Sequence, residues 1–512
     1  MLSTMAWRNL WRNRRRSLIT LSAMVFGLFT CLVIFAVGDG AHNQMVRVAT
    51  STYIGHIQVN RHGFHEQQKL EMLLRPTDRP VKLIQQAVGE KKGPTKARKP
   101  WQGRIKSWSP RAFGAGLVST GKHSSGGFYL GMDFVRESRV TRIPESVLKA
   151  MAQEALRTGQ YKNRLPTSYL LDIQKRYKKL LPPQATHKVK QEAMRKALHQ
   201  ATQALARNRS AYESTLSKLL QQGEVAIGKG LASSLKAKVG SPLAVIAKPY
   251  QGLISNDRYK VVAIVESGNP DMDMSLCVMP IKQLQELLYL GPAFHTMVLQ
   301  LNTTNGREIR SVAQQLAQQI QPQPKVTTSL WQTWGYGSAH AKTALSSKPQ
   351  WEVLPWQKVS PELYEFINAD ESSQFVVTII VFFLVAFIIL NTLQMSLLER
   401  TREFGVLRSL GMKGHQLIAL VLWEGLFLGL VATALGYAFG LPVMTYLQQA
   451  GIPLAEPLRM GGILLDLRLE AQITMQGLLF APAVVILTTL VVSLFPAFRA
   501  AKLKPVEALR HI

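Results

Sequence analysis

Four long apolar segments constrain the fold of this chain more than any other feature. The first runs from Leu18 to Val37 without a charged residue, and three more lie at 375–398, 417–447 and 473–496. About 20 residues of helix rise about 30 Å, which matches the hydrocarbon core of a bilayer. The sequence therefore predicts a multi-pass α-helical membrane protein with four transmembrane helices.

Basic residues in the short segments set the expected orientation, because short loops rich in Lys and Arg stay in the cytoplasm. Arginines crowd the first 16 residues, and basic residues recur at 399–416 and in the tail. We expect the following organisation: a cytoplasmic amphipathic helix at 1–16, spans at 17–38, 375–398, 417–447 and 473–496, an outer domain at 39–374, a cytoplasmic loop at 399–416, a short outer loop at 448–472 and a cytoplasmic tail at 497–512.

The large outer segment has the pattern of a mixed α/β domain. Segments 54–60, 258–267 and 296–302 are rich in β-forming residues, and 306–320 places apolar residues at helical spacing. A strand at 325–331 would complete a small βαβ module. The flanking segments 39–53 and 361–374 lack strong helix breakers, and we expect them to extend the first two membrane helices.

Residues 145–222 differ in composition from the rest of the outer segment and resemble an insertion. They contain 15 basic and 5 acidic residues, a net charge of about +10. Helices are expected at 169–181 and 188–207, with prolines between them. Two interpretations stay open: a solvated helical hairpin, or a surface for anionic lipid headgroups or a partner.

The net charge of +30 raises the question of a nucleic-acid partner, and the apolar segments argue against one. Two cysteines give no disulfide framework. The segment 116–123 resembles a phosphate-binding loop, but histidine replaces the final hydroxyl residue and no helix is expected to follow. We therefore expect no catalytic residues and no metal site in this chain.

The segment 399–412 alternates charged residues with an apolar set, Phe404, Leu407 and Leu410, and ends at a glycine suited to a helix C-cap. It predicts a short surface helix, either offered to a partner or lying on lipid headgroups. Glu424 falls in the third span, where a carboxylate is costly. We expect it to pair with Arg402 or Arg408, the alternative being a proton or substrate role.

Four motifs stand out in the sequence: WRNLWRNRRRS, GHIQV, GVLRSLGM and FPAFRAAKLKPVEALR. Together with the arrangement of the spans, they resemble those of the FtsX/MacB/LolE superfamily of ABC transporter permeases. The resemblance implies a MacB-like periplasmic core domain in 39–374, with 54–143 and 223–350 as its two parts. It also implies a coupling helix that docks on a separate ABC ATPase subunit. The implied contact residues are Glu399, Arg400, Arg402, Glu403, Gly405, Leu407, Arg408, Leu410 and Gly411.

The closest likeness is to lipoprotein-releasing permeases of the LolC/LolE type. It implies an inner-membrane location, a second permease chain, identical or different, and contact with membrane lipids. A periplasmic chaperone or adaptor is a further partner, and ATP and Mg²⁺ belong to the ATPase, so that this chain is not itself an enzyme. The alternatives are MacB-like efflux of small amphiphiles and FtsX-like signalling to cell-wall hydrolases. For lipid-anchored cargo we expect a membrane-facing groove between the first span and the second span of a partner chain. Phe29, Val33 and Val37 would line it on the first span, and Phe375, Ile379 and Phe382 on the second.

Overall fold

A computed structural model describes residues 2–12, 14–89, 101–182, 185–249, 254–320, 351–454, 459–460, 463–464 and 468–502. The chain divides into two compact units. The membrane unit comprises Met1–Met45, Glu365–Leu458 and Leu465–Ile512, and the sheet unit comprises Val46–Tyr364 and Arg459–Leu464.

The helices follow in chain order. They are α1 Leu2–Arg12, α2 Arg14–Ala49, α3 Phe64–Gln67, α4 Arg79–Gly89, α5 Phe134–Glu137, α6 Ile143–Thr158, α7 Thr167–Leu180, α8 His187–Arg207, α9 Arg209–Leu216, α10 Lys229–Leu235, α11 Pro270–Asp273, α12 Ile281–Leu287, α13 Gly306–Ile320, α14 Trp356–Val359, α15 Pro361–Glu399, α16 Thr401–Ser409, α17 Gly414–Ala450 and α18 Met475–Ala501. A single π-helical turn, Thr50–Ile54, follows α2.

The strands are β1 Ile57–Arg61, β2 Ile105–Ser119, β3 Ser124–Met132, β4 Glu224–Gly228, β5 Pro242–Ala247, β6 Ser255–Val265, β7 Leu276–Pro280, β8 Thr296–Leu301 and β9 Trp351–Pro355. Short pairs are formed by β10 Ile452–Pro453 with β13 Arg468–Leu469, and by β11 Arg459–Met460 with β12 Ile463–Leu464.

Helices α2, α15, α17 and α18 are long and apolar enough to cross a membrane, in agreement with the four spans expected from sequence. Helix α2 continues without a break through 39–49, and α15 begins at Pro361. The expected helical extension of both spans is thus confirmed. Helix α1 agrees with the amphipathic helix expected at the N-terminus.

Small residues allow close packing inside the membrane unit. A Cβ at Gly425 would lie 2.4 Å from Ser493 Oγ on α18, and one at Gly436 would lie 2.5 Å from Leu28 Cδ2 on α2. Neither position can take a larger side chain without displacing the neighbouring helix. Polar pairs also hold α2 beyond its apolar part: His42 Nε2 lies 2.6 Å from Asp370 Oδ2 of α15, and Asn43 donates to Oε1 of Gln472, which precedes α18, at 2.9 Å.

The sheet unit contains a nine-stranded mixed sheet in the order β3-β7-β4-β6-β5-β2-β8-β1-β9. β2 also pairs with β3 in antiparallel fashion, so each of the first six strands in this order has a pairing strand on both sides. Segments 54–143 and 223–350 both contribute strands to this order, so the two segments build one sheet. The mixed α/β class expected from sequence is confirmed.

The strands expected at 54–60, 258–267 and 296–302 correspond to β1, β6 and β8, and the expected helix at 306–320 is α13. The strand expected at 325–331 lies outside the described residues. Within the described chain, the strand that follows α13 is β9, and β1 lies between β8 and β9, antiparallel to both. The module is therefore a split β-α-β arrangement.

The basic segment 145–222 belongs to the core of the sheet unit. The expected helices correspond to α7 and α8. Val147 and Met151 of α6 are fully buried against Leu130, Ala226 and Val262 of the sheet, in one continuous apolar cluster. Helices α10 and α12 cover the opposite side of the same strands. Segment 145–222 is therefore not an appendage on a surface loop, because its first helix supplies one face of the core.

Candidate partner-binding site on helix α16

Helix α16 lies between the second and third candidate spans and has a well-defined C-terminus. Gly411 adopts φ of 93°, a left-handed conformation that favours glycine. Its N–H donates to Arg408 O at 3.1 Å, and the Met412 N–H donates to Leu407 O at 3.1 Å. These two bonds form a Schellman motif. The short helix and its glycine cap agree with the sequence pattern.

The exposed face of α16 differs from the one that the apolar spacing predicts. Phe404 is only 2% exposed, while Leu410 is 78% and Val406 41% exposed. Arg402, Val406 and Leu410 recur every four residues and therefore share one outward face. The sequence analysis missed Val406, although its spacing from Leu410 could have indicated it.

Phe404 points inward because five apolar residues of the membrane unit surround it. They are Ala6, Leu397, Leu417, Leu420 and Ala500, and Leu407 packs half-buried against the same cluster. The expectation that Phe404 lies on the exposed face is therefore wrong, and the expected partner contact of the half-buried Leu407 stays a prediction. The chain already buries Phe404 fully and Leu407 in part.

The other residues expected at the partner contact divide into three groups. Arg400 and Gly405 are buried, and their part in a partner contact stays a prediction. Arg408 is half-buried, and its Nη1 donates to Ala501 O at 2.7 Å. Glu399, Arg402, Glu403, Leu410 and Gly411 are exposed.

Ion pairs lie at and beside α16 in the membrane unit, and one of them joins α16 to α1. Arg12 Nη2 of α1 lies 2.7 Å from Glu403 Oε1, and Arg16 of α2 pairs with Glu399 at the end of α15. Arg400 Nε lies 3.2 Å from Glu403 Oε2. Exposed pairs of this kind contribute at most about 1 kcal/mol each, but together they fix the direction in which α16 points.

Arg400 also provides the partner of Glu424 in the third span. Its Nη1 lies 3.3 Å from Glu424 Oε2, with side-chain exposures of 7% and 12%. The expected pairing with Arg402 or Arg408 is wrong, because Arg400 precedes α16 and turns inward while Arg402 turns outward. Burial would raise the pKa of Glu403, but Arg12 and Arg400 outweigh burial and lower it. Glu403 is thus held as a carboxylate.

The six residues expected to line a cargo groove, three on α2 and three on the α15 of a second chain, differ in exposure. Phe375 and Ile379 of α15 are 54% and 51% exposed, whereas Phe382 is 6% exposed and packs in the core of the bundle. Phe29, Val33 and Val37 of α2 are half-buried. Phe382 is buried in the bundle core and is therefore left out of the groove proposed below.

The remaining sequence motifs have the following positions in the described residues. Segment 116–123 forms the end of β2 and the turn into β3, with Gly116 opposite Gly127, so no helix N-terminus faces a phosphate. No cluster of three His, Cys, Asp or Glu residues in the described chain could hold a metal ion. On the basic segment, exposed Lys178, Lys179, Lys188 and Lys190 flank the connection between α7 and α8. Both interpretations of that surface stay predictions.

The region that contains α16 is similar to known proteins. Residues 375–505 match the family model "FtsX-like permease C-terminal". The chain is 22% identical over 301 residues to the lipoprotein-releasing system transmembrane protein LolC of Neisseria meningitidis, a match that covers 56% of this chain and 65% of the relative. It is 21% identical over 302 residues to LolE of Haemophilus influenzae, covering 57% and 65% respectively.

A further match is an uncharacterized ABC transporter permease of Methanocaldococcus jannaschii, 29% identical over 120 residues, or 23% of this chain and 28% of the relative. The matched region thus spans less than two thirds of each of these relatives. The resemblance inferred from sequence motifs is confirmed: the chain is a membrane protein that carries an FtsX-like permease domain and is a low-identity homologue of the LolC and LolE permeases.

Proposed function

We propose that this chain is the permease subunit of an ABC transporter and that the outward face of α16 docks on a separate ATPase subunit. The observation that carries the proposal is Leu410, which is 78% exposed at the end of a helix held by ion pairs between two spans. An exposed leucine beside Val406 and Arg402 is suited to a hydrophobic contact with a polar rim. ATP and Mg²⁺ then belong to the partner, and this chain hydrolyses no ATP.

Leu410→Asp should separate the ATPase from the permease. A charge placed in the centre of a docking contact is expected to cost about 2 kcal/mol or more, about 30-fold in Kd. Because Leu410 is exposed, the chain itself should lose less than about 0.5 kcal/mol of stability. The measurement is co-purification from native membranes, with the ATPase identified by photolabelling with an azido-ATP analogue.

Leu171→Asp provides the matched control, since Leu171 is a 59% exposed leucine on helix α7 of the sheet unit. It should co-purify with the ATPase as the unmodified chain does. Leu407→Asp would be a poorer test, because Leu407 packs against the Phe404 cluster and its loss would disturb the fold. If the Leu410→Asp chain retains the ATPase and its coupled activity, α16 is not the docking site.

For the cargo, we propose a lipid-anchored protein that enters sideways from the outer leaflet, with the large domain in the periplasm and a second permease chain completing the path. Two relatives are named lipoprotein-releasing system proteins, which supports this substrate class. A lipid anchor gains about 0.8 kcal/mol per methylene buried in the bilayer, so its acceptor must be apolar and open to the membrane. Val33 and the exposed Ile379 have the required character.

A photo-crosslinker at Val33 or Ile379 is expected to capture an acylated protein in cells. Leu384, 59% exposed on a different face of α15, serves as the control position and should capture lipid alone. Mass spectrometry of the adducts distinguishes the outcomes. Capture of a small amphiphile at Val33 and Ile379 would replace lipoprotein release by efflux.

A further inference from the structure

An open groove of about 430 Å³ lies between the beginning of α2 and the last turns of α15, within the membrane unit. Its volume falls within the range of ligand pockets. The lining residues combine two cations, two polar side chains and two apolar side chains: Arg15, Arg16, Asn391, Thr392, Ile19 and Met395. None of these residues belongs to the outward face of α16 or to the expected cargo groove.

The two arginines supply the charge for an anionic group. Arg15 is exposed. Arg16 is 22% exposed and pairs with Glu399, and its Nη1 is buried, so Arg16 contributes charge while the exposed Arg15 supplies the accessible donors. A guanidinium with spare donors binds phosphate oxygens well, because its planar N–H groups match their geometry. Asn391 and Thr392 add polar groups on the opposite wall.

The apolar wall continues away from the arginines along both helices. Ile19 is 63% and Met395 52% exposed. Two turns further on, Phe26 of α2 is 70% and Ile388 of α15 38% exposed, each seven residues from the groove residue on its own helix. Cations at the end of a span followed by an exposed apolar stripe fit a molecule with an anionic head and acyl chains.

We propose that this groove binds the headgroup of an anionic glycerophospholipid in the leaflet at which α2 begins and α15 ends. The phosphate lies at Arg15 and Arg16, and the acyl chains follow the stripe past Ile19 and Met395. A free phosphate ester would leave that apolar wall without a partner. The bound lipid thereby joins the first two spans at the level of the α16 ion pairs.

The test uses the full-length chain in detergent, incubated with equal amounts of dioleoyl phosphatidylglycerol and dioleoyl phosphatidylcholine, and native mass spectrometry of the retained lipid. The unmodified chain should retain phosphatidylglycerol in preference to phosphatidylcholine. Arg15→Gln should reduce that preference about fivefold, the usual effect of one basic residue near an anionic headgroup. Arg14→Gln removes the same charge one residue earlier, outside the groove, and should change the preference less than twofold.

Equal losses in the two variants would show a diffuse charge effect and overturn the proposal, as would equal retention of both lipids by the unmodified chain. Soluble glycerophosphoglycerol is added as a competitor, and it should not displace the lipid. If it does, the groove recognises a free phosphate ester and the lipid assignment is wrong. Thermal unfolding of both variants confirms that the bundle is intact.

Discussion

Arg111→Met is expected to lower the free energy of unfolding of the sheet unit by about 3–5 kcal/mol, the usual cost of removing one partner from a buried ion pair. Arg111 and Glu137 have side chains that are 0% exposed, and Arg111 Nη2 lies 2.5 Å from Glu137 Oε1. Arg111 Nη1 also donates to Tyr53 O at 2.6 Å, which fastens the π-helical turn after α2 to strand β2. The variant leaves Glu137 buried without its cation.

The measurement is hydrogen exchange of sheet-unit peptides in the full-length chain. In the double variant Arg111→Met/Glu137→Leu, most of the lost protection should return, because two apolar groups of similar volume can replace a buried pair. Burial alone would raise the pKa of Glu137, but Arg111 and the hydrogen bonds to the carboxylate lower it overall. The pair therefore stabilises the folded sheet unit fully at pH values above 4.5, the ordinary pKa of the Glu137 carboxyl. This contribution is lost as the pH falls below that value. Unchanged protection in Arg111→Met would contradict the assignment.

Arg400→Leu is expected to destabilise the membrane unit by a similar amount, about 3–5 kcal/mol, and to uncouple α16 from the third span. The variant leaves Glu424, only 12% exposed, without the cation that lies 3.3 Å from it. It also removes the guanidinium that stands 5.1 Å from the Phe404 ring and holds Glu403. Thermal unfolding and ATP-driven activity of the assembled transporter measure the two effects.

The double variant Arg400→Leu/Glu424→Leu separates these effects. It should regain thermal stability, since no charge remains unpaired in the span, while coupling stays impaired because the ion pair that joins the start of α16 to α17 is gone. Arg402→Leu is the matched control, because Arg402 lies on the exposed face of the same helix and should leave thermal stability unchanged. Full coupling in the double variant would show that the buried pair serves stability alone.

The elements that depend on local pattern could be predicted from sequence. Four apolar stretches of span length, the helical spacing at 306–320 and the glycine after α16 each act over a few turns of chain, and each agrees with the structure. The apolar set Phe404, Leu407 and Leu410 was assigned to one outward face, and that was wrong. Spacing shows that residues share a face but not whether the same chain covers it.

Length and hydrophobicity along the sequence thus determined the four candidate spans, the short helix between the second and third, and the mixed α/β class of the large domain. Only the tertiary structure decided that Arg400 is the partner of Glu424, that Phe382 lies in the bundle core and that α6 completes the core of the sheet unit. The physical reason is distance along the chain. A pair such as Arg12 and Glu403 forms only after separate helices have packed, and packing depends on the shapes of all the side chains between them.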